Sequence, residues 1–183
     1  MAYNIKDVFY LSTSATVTAS TSGVGSAQLD LSAYIDPIAR GRTKGTGLAI
    51  YKVHFSMLDG DGKAIKPSDT GVLTASMQAG LGVGDNATGT AFSVVNIMEN
   101  TNALNIATID YYAPAAAASM DGIYSMVMPS TEVPYVVVRD NACLVYGIRD
   151  QFVEDAVLSV RLECAQISLD QATLNQLLRT QTV

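Results

Sequence analysis

Apolar and polar residues alternate along several stretches of this chain, most clearly near its C-terminal end. From Leu158 to Cys164 every second residue is apolar, and the residues between them are polar or charged. A period of two is typical of a β-strand that has one face in a core and one face exposed. The pattern therefore predicts a half-buried strand, with Arg161 and Glu163 on its outer face.

A C-terminal helix is predicted directly after this strand, over residues 169–181. Ser168 stands three residues before Gln171, which is the spacing of a capping box at the start of a helix. Asp170 near the start and Arg179 near the end both suit the helix dipole. The apolar stripe of this helix would consist of Leu174, Leu177 and Leu178.

Gly47–Leu58 is the second strongly alternating stretch, and it predicts another half-buried strand. Its polar face carries Lys52, His54 and Ser56. The run Asp59-Gly60-Asp61-Gly62 follows, and Asp-Gly pairs supply the positive φ that tight turns need. The expected apolar face of this strand is Tyr51, Val53, Phe55 and Met57.

Shorter stretches between turn signals predict the remaining strands. Tyr135–Arg139 and Ala142–Arg149 are expected to form a hairpin, because Asp140-Asn141 between them tolerates left-handed backbone. Gly80–Gly89 is rich in glycine and is expected to be a loop. The other predicted strands cover residues 28–35, 71–77, 91–98, 104–110 and 122–128.

Together these elements predict an all-β fold: a single jelly roll or β-sandwich of about eight to ten antiparallel strands with a C-terminal α-helix. The chain has 183 residues, without an internal repeat or a break in composition. This predicts one domain over residues 1–183. Residues 1–13 are expected to be an N-terminal arm or a short helix.

Composition narrows the classes of function. Charged residues make up 15% of the chain, against about 25% in typical globular proteins, which suits a subunit whose sides are covered by neighbours. The net charge of −6 disfavours nucleic acid as a partner. No apolar run approaches the roughly 18 residues of a membrane span. The N-terminal residues have no signal-peptide pattern, so synthesis in the cytoplasm is expected.

Catalytic, cofactor and metal sites are not predicted. His54 is the only histidine, so a Ser–His–Asp or Cys–His arrangement would have to use it, and an ordinary strand histidine is favoured. Asp59, Asp61 and Asp69 resemble a calcium loop, but Lys63 stands where an oxygen ligand is required, so a turn is favoured. Gly80-Leu-Gly82-Val-Gly84 lacks the spacing of a dinucleotide loop.

The remaining candidates also have ordinary structural interpretations. The carboxylates of Glu154 and Asp155 are adjacent and are expected to point apart, which disfavours acid–base chemistry. Cys143 and Cys164 are expected to be free buried thiols. The basic group Arg40, Arg42 and Lys44 is expected to be a solvated loop, with a phosphate, an acidic lipid or an acidic neighbouring subunit as the alternatives. Asn86-Ala-Thr88 fits a glycosylation pattern.

The strands Gly47–Leu58 and Tyr135–Ile167, the Ala/Ser/Thr/Gly-rich loops and the low charge resemble the single jelly-roll capsid proteins of tailless, membrane-containing viruses of archaea and bacteria. This resemblance implies a viral capsid subunit in the virion shell. Its partners would be copies of itself. A second capsid protein and peripheral contact with an internal membrane are further partners that the resemblance allows. The helix over residues 169–180 departs from the minimal eight-stranded roll. An enzyme, for instance a barrel hydrolase, is disfavoured by the residues themselves, because the sequence has one histidine, no nucleophile elbow and no set of metal ligands.

Two other classes of function stay open. A carbohydrate- or ligand-binding β-sandwich would expose aromatic side chains, and Tyr111-Tyr112 is the one adjacent pair of tyrosines, although a packed loop is favoured there. A phage tail or fibre component would share the assembly of repeated contacts but not the closed shell.

Overall fold

A computed structural model describes residues 7–20, 23–36, 44–63, 75–83, 104–113, 123–127, 132–150, 152 and 154–181. Side chains are described throughout these ranges except at residues 75–83, 104, 112–113, 123–127 and 149–150. The strands and the helix are, in chain order, β1 (Val8–Val17), β2 (Gly23–Asp30), β3 (Lys44–Asp59), β4 (Ala75–Val83), β5 (Leu104–Ala113), β6 (Ile123–Val127), β7 (Tyr135–Val137), β8 (Asn141–Asp150), β9 (Ala156–Asp170) and α1 (Gln171–Thr180).

The strands form two antiparallel sheets with nested pairing. Sheet A has the order β1-β9-β3-β7, and sheet B has the order β2-β8-β4-β5-β6. The antiparallel pairs are nested along the chain, as in one long hairpin: β1 with β9, β2 with β8, β3 with β7 and β4 with β5. Pairing of β3 with β9 and of β4 with β8 rolls this hairpin into a sandwich. The result is a jelly roll with β6 added at the edge of sheet B, as the sequence predicted.

The core lies between the two sheets, and β9 contributes most regularly to it. Leu158, Val160, Leu162 and Cys164 are each at most 1% exposed, while Arg161 between them is exposed. Full burial of one such aliphatic side chain contributes about 1.5–3 kcal/mol. The half-buried strand predicted from the alternation is confirmed.

The predicted apolar face of β3 is wrong at Tyr51. Pairing of β3 with β9 shifts register between Ile50 and Lys52, and one extra residue moves the following side chains to the other face. Ile50 and Val53 both lie in the main core, whereas Tyr51 packs with Ala49 and Ala165 in a separate cluster.

The predicted hairpin of β7 and β8 is also wrong. β7 pairs with β3 in sheet A, and β8 pairs with β2 and β4 in sheet B. The residues between them therefore carry the chain from one sheet to the other, and Val138 in this connection is 1% exposed. Asp140 accepts a hydrogen bond from the Leu31 backbone N–H at 2.7 Å through its carbonyl oxygen, rather than closing a two-residue turn.

The C-terminal helix is confirmed, but its predicted capping box is not. Ser168 lies within β9, opposite Thr46, so the helix begins later than the sequence predicted. Asp170 is the N-cap: its carboxylate accepts the Thr173 N–H at 2.8 Å and the Thr173 hydroxyl at 3.1 Å. Leu174 is the buried residue of the helix.

Two other segments differ from the sequence expectation. The predicted N-terminal arm or short helix is wrong from Val8 onward, because β1 pairs with β9 in continuous register from Val8 to Val17. The first strand is thereby built into sheet A rather than left outside it. Gly80–Val83 belongs to β4 and pairs with β5, so the predicted loop cannot begin at Gly80. The predicted strand over residues 91–98 lies outside the described residues.

Candidate functional site

The outward side chains in the middle parts of β1, β9 and β3 form a polar surface, called here the sheet A face. The strand register places them in three rows across the sheet. Side chains directly opposite one another on adjacent strands are close enough to interact. From one end to the other, the rows are Tyr10–Glu163–Lys52, Ser12–Arg161–His54 and Ser14–Ser159–Ser56.

Glu163 is the centre of the charged part of this face. Its carboxylate accepts the Tyr10 hydroxyl at 3.4 Å, and its Oε2 lies 3.7 Å from Lys52 Nζ and 3.9 Å from His54 Nε2. The lysine and histidine side chains are about half exposed, at 51% and 55%. Ion pairs at such exposed sites contribute at most about 1 kcal/mol to stability. The cluster therefore contributes little to the stability of the fold.

Tyr10 and Arg161 form the second interaction on the sheet A face. The Arg161 guanidinium carbon lies 5.0 Å from the centroid of the Tyr10 ring, within the range of a cation–π contact. Tyr10 remains 56% exposed, which is high for an aromatic side chain. Together with Ser12, His54 and Ser56 these residues line a shallow depression of about 460 Å³.

His54 lies on this face as an ordinary exposed strand residue, as the sequence predicted. Its partner Glu163 is a carboxylate 3.9 Å away, and Arg161 is the residue directly opposite on β9. Within the described parts of the chain, no group of three or more His, Cys, Asp or Glu side chains is placed to hold a metal ion. The chemistry of the face is thus polar and ionic contact.

Asp59 and Asp61, two of the three aspartates suggested for calcium, belong to a turn. Asp59 Oδ1 accepts the backbone N–H groups of Asp61 at 3.0 Å and Lys63 at 2.6 Å. Lys63 Nζ pairs with the Asp61 carboxylate at 2.8 Å, and Gly62 has φ +79°. The predicted turn is confirmed, while Asp69 lies outside the described residues.

Of the other charged candidates, the structure describes Lys44, Glu154 and Asp155. Arg40 and Arg42 lie outside the described residues, and Lys44 opens β3 opposite Asp170. Asp155 accepts the Ala19 backbone N–H at 2.7 Å, which ties β9 to the end of β1. This carboxylate has a structural role in joining two chain segments.

Tyr111 and the two cysteines are buried. Tyr111 is 2% exposed and stacks on Phe152, with ring centroids 6.1 Å apart, so it cannot form a binding platform. Cys143 and Cys164 are free and buried, as predicted. Burial raises the pKa of both thiols, that of Cys164 to about 12.

The sequence analysis missed the cluster of Tyr10, Arg161 and Glu163. The alternation in β9 placed Arg161 and Glu163 on an outer face, but Tyr10 fell within the predicted arm. A polar partner strand for β9 was the missing information, and only the long-range pairing of β1 with β9 supplies it.

The fold is similar to that of polyomavirus VP1 capsid proteins. VP1 of the Trichodysplasia spinulosa-associated polyomavirus, in complex with GM1 oligosaccharide, superimposes with a TM-score of 0.50 and 8% identity over 92% of this chain and 97% of that chain. VP1 of Merkel cell polyomavirus, in complex with disialyllactose, has a TM-score of 0.48 and 6% identity over 92% of this chain and 98% of that chain. No protein-family model and no curated protein matches the sequence. The likeness to the first of these proteins, together with the nested strand pairing, shows that the chain has a jelly-roll fold.

Proposed function

We propose that this protein is a viral capsid subunit that assembles into a shell through repeated contacts between copies. The observation that carries the proposal is the nested jelly-roll pairing of β1–β9, β2–β8, β3–β7 and β4–β5. The fold that results is similar to that of a polyomavirus VP1 over nearly the whole of both chains. The low charged fraction of 15% supports it, because covered subunit surfaces are depleted in charge.

We infer that the sheet A face is one of the contacts between copies. Tyrosine and arginine are enriched at the centres of protein interfaces, and Tyr10 and Arg161 lie together on this face. Lys52 and Arg161 outnumber the carboxylate of Glu163, whereas the whole chain carries a net charge of −6. The face is therefore complementary in charge to an acidic surface of a neighbouring copy.

Electron microscopy of the purified, untagged protein tests the proposal. Closed shells of uniform size are the expected result. Tubes or filaments would replace the capsid by a phage tail or fibre component, because open helical assembly follows when a repeated contact does not close. A sample without particles at any protein concentration would contradict assembly as the function.

A glycan-binding module is the second candidate, and the exposed ring of Tyr10 favours it. The depression beside Tyr10 is lined by Ser12, His54 and Arg161, which offers an aromatic surface next to hydrogen-bond donors. Titration with an array of soluble oligosaccharides tests this candidate. Binding that is lost in Tyr10→Ala and kept in Tyr34→Ala would support it, and no binding to any glycan would contradict it.

The domain organisation, the location and the class of virus are proposed from the sequence and its resemblance to capsid proteins. We propose that residues 1–183 form a single domain without catalytic, cofactor or metal sites, made in the host cytoplasm and carried in the virion. The proposed virus class is the tailless, membrane-containing viruses of archaea and bacteria, with a second capsid protein and the internal membrane as further contacts. Among the described residues no helix is long and apolar enough to cross a membrane.

A further inference from the structure

The last described residue of the chain is a glutamine that is almost completely buried. Gln181 follows α1 and is 2% exposed, although its side chain is polar. Its backbone N–H bonds to the Leu177 carbonyl oxygen at 2.9 Å and so closes the helix. A buried amide needs partners for both its donor and its acceptor, and Gln181 finds both on β7 and the residue that follows it.

The side-chain amide of Gln181 bonds to the backbone as a neighbouring strand would. Its Oε1 accepts the Val138 N–H at 3.0 Å, and its Nε2 donates to the Val136 carbonyl oxygen at 2.6 Å. Backbone groups two residues apart on a strand face the same side, so this pair belongs to one edge of β7. A third bond runs from Arg139 Nε to the Gln181 carbonyl oxygen at 3.1 Å.

This edge of β7 is the outer edge of sheet A. β7 is the last strand in the order β1-β9-β3-β7, so no strand lies beyond it in the described part of the chain. An edge with unpaired N–H and C=O groups is a template for pairing with another chain. β7 has only three residues and follows Pro134, and short edge strands and proline both discourage such pairing.

The position of Gln181 is fixed from the other end of α1. Leu174 is fully buried and lies against Gly45 at the start of β3. A Cβ atom at Gly45 would stand 2.8 Å from Leu174 Cδ2 and 3.0 Å from the Asp36 carbonyl oxygen, closer than packed atoms approach. The absence of a side chain at Gly45 thus lets the helix dock and bring Gln181 to the edge.

We propose that Gln181 prevents the β7 edge of sheet A from pairing with a strand of a second copy of this chain. Its amide occupies the donor and acceptor that an incoming strand would use, and α1 holds it there. Pairing between copies through this strand edge is thereby excluded. The proposal does not depend on the capsid function, because it concerns the edge of an individual subunit.

The test compares Gln181→Met with wild type and with Gln176→Met. Methionine keeps the length and volume of glutamine but removes both bonds to β7, and Gln176 is an exposed glutamine on the same helix. At low protein concentration, residue-resolved hydrogen exchange should show that the Val138 amide exchanges about tenfold faster in Gln181→Met than in wild type. This is the change that loss of one hydrogen bond implies. As the protein concentration is raised, sedimentation velocity should show larger species for Gln181→Met than for wild type and Gln176→Met. The Val138 amide of Gln181→Met should then regain its protection from hydrogen exchange.

Two results would overturn the proposal. One is a mass distribution of Gln181→Met that equals that of Gln176→Met at every concentration. The other is added association while the Val138 amide stays unprotected, because the contact then lies elsewhere. If Gln181→Met loses its β-sheet circular dichroism, Gln181→Asn, which withdraws the amide from the edge, is measured in the same way. Unfolding of both would also contradict a guarding role, since the residue would then be needed for the fold itself.

Discussion

Gly25 on β2 lies directly opposite Tyr146 on β8, and the tyrosine ring occupies the space that a side chain at residue 25 would need. The Tyr146 hydroxyl then reaches the Thr16 carbonyl oxygen on β1 at 2.8 Å. Because β1 belongs to sheet A and β8 to sheet B, this glycine–tyrosine pair lets one side chain connect the two sheets.

Gly25→Ala should therefore lower the free energy of unfolding by about 1–3 kcal/mol, the usual cost of overpacking. The added methyl group would push the Tyr146 ring away and weaken its bond to Thr16. Urea denaturation followed by circular dichroism measures this change. Gly60→Ala is the control, because the nearest atom to its new Cβ would be the Asp155 carbonyl oxygen at 3.6 Å, an ordinary contact. Equal stability of the two variants would contradict the account.

Asp170, and not Ser168, should be the residue that caps α1. Asp170→Ala removes the acceptor of the Thr173 N–H and should reduce helix content and thermal stability, whereas Ser168→Ala should leave both nearly unchanged. Far-ultraviolet circular dichroism with thermal melts separates the two variants. A larger effect at Ser168 would restore the capping box that the sequence predicted.

The same cap gives a prediction about pH. Hydrogen bonds from the Thr173 N–H and hydroxyl hold the pKa of Asp170 below its ordinary value of 3.8. A carboxyl with a lowered pKa stabilises the fold above its unfolded pKa and loses this contribution as pH falls through its folded pKa. The stability difference between wild type and Asp170→Ala should be constant above about pH 5 and shrink below about pH 4. A difference that grows on acidification would contradict it.

Both cysteines should be unreactive in the folded protein. Burial raises the pKa of the Cys164 thiol to about 12, and only the thiolate reacts rapidly. A thiol reagent at pH 8 should label neither Cys143 nor Cys164 in native protein and both in urea, as counted by mass spectrometry. Rapid labelling of the native protein would show that this part of the core opens.

Arg161→Glu should weaken assembly if the sheet A face is a contact between copies. The change reverses the charge beside Tyr10 and places a second carboxylate near Glu163 on a surface complementary to acidic groups. The protein concentration needed for particle formation, measured by light scattering, should rise at least about tenfold. Lys63→Glu reverses an exposed charge on the turn after β3 and should leave this concentration unchanged. Equal behaviour of the two variants would remove this face from the assembly.

The sequence predicted those features that depend on local periodicity. The alternation from Leu158 to Cys164 identified the inner face of β9, and the leucines after it identified a C-terminal helix. The Asp-Gly pairs after β3 identified its turn. Each of these is determined by neighbouring residues, either through the period of two in a strand or through the positive φ of a turn.

The remaining features depend on residues far apart in the chain. Alternation in β7 and β8 is compatible with either sheet, and only pairing of β7 with β3 assigns it to sheet A. The bulge beside Tyr51 is visible only against its partner strand β9. The sheet A face needs β1, β9 and β3 side by side, so no single stretch of sequence could predict that Tyr10, Glu163 and Lys52 form one row.

The mass of the native particle tests the central claim most directly. Multi-angle light scattering of untagged protein under conditions that favour assembly should give a narrow distribution in the megadalton range, as expected for a shell of many 19.3 kDa subunits. A stable species of 19.3 kDa that persists at all concentrations would contradict the capsid function.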